Sequence, residues 1–81
     1  MRSAEKMVRD IYVHLAGGIR RERERQGLSM LAVAERAGLS QQMVSATERG
    51  LRNPSLDTLI RICEVLGLDL GSLISEAMPK K

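Results

Sequence analysis

The sequence contains no phenylalanine and no tryptophan, and Tyr12 is its only aromatic residue. Stacked rings therefore cannot form the core. Leu, Ile, Val, Ala and Met must pack it, a set that suits helices better than sheets. Cys63 stands alone, which excludes an intrachain disulfide and a thiolate metal cluster. A reducing compartment is compatible with that usage. With His14 the only histidine, one cysteine and no clustered carboxylates, neither a catalytic triad nor a metal site is expected. Nor is there a glycine-rich phosphate loop or any other cofactor motif. No apolar run approaches the ~20 residues a membrane span needs, and the opening MRSAEKMVRD lacks the apolar centre of a signal peptide. These absences lead to the expectation of a soluble, cytoplasmic, non-enzymatic protein with no cofactor, metal or membrane.

The 81 residues allow one domain, and their 43% hydrophobic content is too high for a disordered tail. A domain of this size buries only about 60% of the surface its unfolded chain exposes, so the core is modest. The net charge of +3 is unevenly placed. Residues 1–27 carry seven basic and four acidic groups, residues 28–54 three and two, and residues 55–81 three and four. The basic end is the N-terminal one. A mildly basic soluble surface explains this as well as a polyanionic partner does.

Glycines and capping residues divide the chain into five helices. The first is expected over Ala4–Gln26, its stripe formed by Met7, Val8, Ile11, Tyr12, Leu15 and Ile19 at intervals of three and four. Gly17 and Gly18 interrupt it, either to admit another helix closely or to allow a bend. The run RRERER reads as a solvated face, because Arg20 and Glu24 stand at i,i+4 pairing distance. Gly27 ends this helix. Ser29 is placed to cap a second helix through Ala37, and Ser40 a third over Gln41–Arg49, with Gly38 and Gly50 as stops. Pro54 discourages helix at Asn53. Ser55 opens a fourth helix with Leu56, Leu59, Ile60, Cys63 and Leu66 expected on its inner face, and Asp69 caps a fifth with Leu70, Leu73, Ile74 and Ala77 inward. No segment alternates with period two, so the expected fold is all α.

The informative stretch is Ser29–Ala37, Gly38-Leu39-Ser40 and Gln41–Arg49: two short helices joined by a tight corner around a glycine. Such a corner is a helix-turn-helix, whose second helix enters the major groove of DNA. That helix needs an apolar inner face and an outer face of short polar side chains. Here Val44 points inward with Thr47 and Glu48 beside it, while Gln42, Ser45, Ala46 and Arg49 share the outer face. Gln41 and Gln42 occupy the first turn. Glutamine can pair bidentately with adenine, and alanine can touch the thymine methyl.

The segment GLSMLAVAERAGLSQQMVSATERGLRNPSLDTLIRICEVLGLDLGSLI resembles the five-helix DNA-binding domain of the lambdoid phage repressors and related bacterial regulators of the Cro and xenobiotic-response-element type. The likeness spans roughly Leu15 to Ile74. It rests on Arg23, Gly27-Leu28-Ser29, Val33-Ala34, Gly38-Leu39-Ser40, Glu48-Arg49-Gly50, Pro54, Leu59 and Leu66 in register. The resemblance implies base contacts from Gln41 and Gln42, with Ser45 and Ala46 also at the DNA surface. It places Arg52 and Asn53 on the phosphate backbone, with Ser29, Met30 and Arg49 as the other expected phosphate contacts. Arg23 and Glu48 match a structural ion pair between the first and third helices. Met30 is a departure, since many relatives carry there a glutamine that clamps a phosphate, and a thioether is only a weak acceptor. Thr47 is another, at a position that is often large and apolar.

The expected organisation is an N-terminal helical extension over 1–14, the DNA-binding domain over 15–78 and a tail over 79–81. The expected function is transcriptional control at a palindromic double-stranded operator by a homodimer without a small-molecule effector domain. A protein-interaction module or antitoxin with DNA binding secondary stands as the alternative, and a protein partner fits either reading. Two surfaces offer a dimer interface. The fifth helix presents Leu70, Leu73, Ile74 and Met78, and is preferred because it leaves both recognition helices facing one side. The extension presents Met7, Val8, Ile11 and Tyr12.

Overall fold

The computed structural model describes residues 3–50 and 54–78. Arg52, Asn53 and the tail at 79–81 lie outside the described residues. The elements in order are α1 (Ser3–Arg25), α2 (Met30–Ala37), α3 (Gln41–Arg49), α4 (Leu56–Leu66) and α5 (Leu70–Ala77), with no strand among the described residues. The fold is all α and five-helical. None of these helices is long and apolar enough to cross a membrane.

Three serines start helices in the same way. The Ser29 Oγ accepts from the Ala32 amide at 3.0 Å, Ser40 from Met43 at 3.1 Å and Ser55 from Thr58 at 3.1 Å. Each satisfies one of the amides that the first turn leaves unpaired. Asp69 departs from this pattern. It makes no cap bond, and its carboxylate accepts from the Ser72 hydroxyl at 2.6 Å. Its ψ of 105° differs from the 154–160° of the serine caps.

The core draws one or more residues from every helix: Leu15 and Ile19, Val33 and Ala34, Val44, then Leu59, Ile62, Cys63 and Leu66, and finally Leu73. α1 passes behind α3, α4 and α5 and forms the backbone of the assembly. It runs unbroken through Gly17 and Gly18. Gly18 is a point of close approach: a Cβ there would stand 3.2 Å from Leu73 Cδ2. α5 therefore lies directly on α1, and the exposed pair of His14 Nε2 and Glu76 Oε1, 2.9 Å apart, joins the same two helices.

Two sequence expectations need correction. In α4 the buried set is Thr58, Leu59, Ile62, Cys63 and Leu66, whereas Leu56 is 62% exposed and Ile60 50%. Apolar residues surround this helix, so its periodicity fits two phases, and contact with α1, α2 and α5 selects one. The second concerns Leu73, expected both to face inward in the fifth helix and to reach a dimer interface. It is buried in this chain's own core against Gly18, as its inward placement requires. Leu70 and Ile74 pack half-buried on the core, and Met78 is exposed.

Candidate nucleic-acid interface

The corner between α2 and α3 is built from backbone chemistry. Gly38 has φ of +71°, a left-handed conformation that costs other L-residues about 1–2 kcal/mol. It allows the Leu39 amide to donate to the Ala34 carbonyl at 2.8 Å, closing α2. Ser40 then begins α3. Leu39 packs half-buried on the core, and Val44, one turn into α3, is fully buried. These two apolar anchors fix the rotation of α3.

With Val44 inward, the remaining positions follow. Thr47 and Glu48 are buried on the inner side. Thr47 is accommodated because its hydroxyl donates to the Met43 carbonyl at 2.8 Å, within its own helix. Gln41, Gln42 and Arg49 are exposed, and Ser45 and Ala46 are half-buried beside them. The outward face thus brings together all four positions read as base-contacting, plus Arg49.

Glu48 explains how α3 is held. Arg23 Nε donates to Glu48 Oε2 at 2.6 Å and Nη2 to Oε1 at 3.0 Å, a two-pronged pair whose side chains are 12% and 4% exposed. The third guanidinium nitrogen donates to the Leu28 carbonyl at 2.8 Å. The hydrogen bonds that Arg23 donates to Glu48 raise the Arg23 pKa above its ordinary value, against the opposing effect of burial. One arginine therefore locks the α3 C-terminal turn and the α1–α2 link to α1. Charge-assisted, bidentate geometry of this kind resists rotation as well as separation.

Around this face, Ser29 is exposed, and its hydroxyl hydrogen stays available although its lone pair serves the cap. Met30 packs half-buried on the core, so its amide at the start of α2 is what it can offer an anion. Met43 was not singled out from sequence. It is 42% exposed and lines a groove with Gln42 and Ala46 against Pro54 and Ser55. The available signal was a large apolar residue on a helix whose outer face is otherwise polar. Arg61 was missed too: it donates to Asp57 at 2.9 Å and to the Ala37 carbonyl at 3.3 Å, tying α4 to the end of α2. That contact links residues 24 apart, which no local pattern reveals. The Cys63 thiol is buried, and burial pushes its pKa up, as expected of a packing residue. No group of His, Cys, Asp and Glu able to hold a metal occurs among the described residues.

A family model described as helix-turn-helix matches residues 19–73. The chain belongs to the helix-turn-helix family. Among its relatives is an uncharacterized HTH-type transcriptional regulator, y4dJ, of Sinorhizobium fredii, 40% identical over 55 residues that cover 68% of this chain and 71% of that protein. The immunity repressor protein of Bacillus phage phi105 is 36% identical over 58 residues, covering 72% of this chain and 38% of its own length. Of the solved structures, the clp gene regulator ClgR from Corynebacterium glutamicum superimposes with a TM-score of 0.73 at 27% identity, over 83% of this chain and 71% of that one. The likeness to phage-repressor-type domains read from the sequence is thus that of the family, and the class is one of DNA-binding transcriptional regulators, which are not enzymes. The share of each relative's own length that is matched runs from 71% down to 29%.

Proposed function

We propose that this helix-turn-helix regulator represses transcription by binding a palindromic operator as a homodimer, with α3 in the major groove. The observation that carries this is the outer face of α3. Gln41 and Gln42 are exposed in its first turn, Ser45 and Ala46 lie beside them, and Glu48 is pinned from behind by Arg23. A reading helix must be rigid, since bidentate contacts to base edges tolerate little misplacement. In this reading Gln41 and Gln42 pair with bases and Ala46 meets a thymine methyl. Ser29, the Met30 amide and Arg49 hold phosphates, and Arg52 and Asn53 are assigned the same role.

One α3 spans only a few base pairs, too few to stand out from a genome of competing sites, and two-fold pairing places a second copy about 34 Å away. With Leu73 committed to the core, the surface proposed for pairing is Leu70, Ile74 and Met78 on α5. Selection of bound fragments from sheared DNA, followed by sequencing, tests the reading: inverted half-sites one helical turn apart are expected. Recovery of unrelated fragments, with binding equal on random duplex, would favour a protein-interaction role.

A further inference from the structure

The first sixteen described residues, 3–18, precede the segment matched by the family, yet they are ordered as four continuous turns of α1. The core accounts for Leu15 and Ala16, but not for the turns before Ile11, where Val8 and Arg9 are exposed. We infer that this extension is part of the DNA interface, with Arg9 gripping a phosphate outside the stretch of backbone held by the helix-turn-helix itself. The inference rests on the DNA-binding reading above and extends it.

Three observations converge. First, Arg9 lines a groove with Glu5, Val8, Tyr12 and Gly50, and Gly50 is the left-handed cap at which α3 ends. The extension therefore lies beside the C-terminal end of the recognition helix. Second, that placement is fixed. The Tyr12 hydroxyl donates to the Pro54 carbonyl at 3.3 Å, and His14 meets Glu76 at 2.9 Å, so α1 is tied on one side to the start of α4 and on the other to α5. Third, Arg9 makes no salt bridge among the described residues. Lys6, Arg20, Arg23, Arg25 and Arg61 each hold a carboxylate, whereas among the described residues Arg9, Arg21, Arg36 and Arg49 hold none. Of those four, Arg9 lines the groove at Gly50, and Arg49 is the last residue of α3, immediately before Gly50. Arginines without a salt-bridge partner at the end of a reading helix suit an anion, and the anion continuous with that face is the DNA backbone. A guanidinium matches a phosphate in shape as well as charge. Glu5 shares the groove and opposes such binding, which supplies a control of opposite sign.

Each phosphate neutralised releases counterions, so the slope of log affinity against log salt should change by about 0.9 per contact. The test is a salt titration of the whole protein on random-sequence duplex of roughly three helical turns. Arg9→Ala should weaken binding and make the slope shallower by about 0.9, with Arg9→Lys close to the parent and Glu5→Gln tighter than it. Circular dichroism and sedimentation check that fold and self-association are unchanged. An Arg9→Ala slope equal to the parent's, while Arg49→Ala becomes shallower, would overturn the inference and leave DNA binding standing. A change in self-association without a change in slope would also overturn it and point to a second copy in the groove. If the parent protein fails to bind duplex at low salt, the DNA-binding reading fails first and this inference with it.

Discussion

Glu48 shows how one residue serves two levels of the molecule. Its carboxylate is nearly inaccessible, yet both oxygens are matched by the Arg23 fork. Replacing one member by alanine leaves the other charged, buried and unpaired, which costs about 3–5 kcal/mol at a dry site. Chemical denaturation of Glu48→Ala should therefore show a loss of that order. A loss under 1 kcal/mol would mean the site is wetter than its burial suggests. On the opposite face, Gln42 is exposed and supports nothing in the fold. Gln42→Ala should keep stability while losing about 1–3 kcal/mol of operator binding and little on random duplex. Unchanged operator affinity for both Gln41→Ala and Gln42→Ala would remove the assigned recognition face. The inward positions of Val44, Thr47 and Glu48 were legible because nine residues of helix with one Val set the phase. The bond from Thr47 to the Met43 carbonyl was not, since it depends on a rotamer chosen by packing.

Among the elements, α3 was readable and α4 was not. Glycine and serine bracket α3, and its polar outer face leaves one rotation possible. α4 presents Leu56, Leu59, Ile60, Ile62, Cys63, Val65 and Leu66, so its sequence defines a helix without defining its buried side. Leu56 and Ile60 are exposed only because α2 and α5 approach from other directions. The corner between α2 and α3 depends on local geometry that can be probed directly. Gly38→Ala should lose about 1–2 kcal/mol from its left-handed backbone. Ser40→Ala should lose about 1 kcal/mol from the cap. Thermal melts of the two variants and their double would show whether the costs add; a melt unchanged in Gly38→Ala would mean the corner can relax out of the left-handed region.

At the scale of the whole molecule, pairing and acid response are the properties to measure. Ile74→Glu with Met78→Glu should yield a folded monomer with much weaker operator binding, because these side chains lie at the edge of the core or outside it. Leu73→Glu would instead unfold the chain by placing a carboxylate against Gly18. A parent protein that sediments as a monomer at tens of micromolar, and binds one half-site as tightly as two, would end the dimer reading. Acid sensitivity follows from Glu22, whose carboxyl is held from its ordinary 4.5 to about 2 by hydrogen bonds from Arg25 and Gln26. A lowered carboxylate pKa stabilises the fold above the unfolded value and loses that contribution as pH falls through the folded one. Urea midpoints should therefore decline between about pH 4.5 and 2, more steeply for the parent than for Glu22→Gln. Parallel declines would assign the loss to other groups. Gln26 also donates to the Leu66 carbonyl at 2.8 Å, so this cluster joins the end of α1 to the end of α4.

Sequence alone determined five helices, their glycine stops, three of their four capped starts and the outward face of α3. All of these depend on interactions within about four residues or on helical period, and both are written locally. Tertiary structure decided the phase of α4, the burial of Leu73, the Arg61 bond to α2 and the seating of the α1 extension beside Gly50. Each of these is a choice among surfaces that local pattern leaves equally apolar or equally charged. Only the competition of several helices for one small core, built without aromatic side chains larger than a half-buried tyrosine, resolves them.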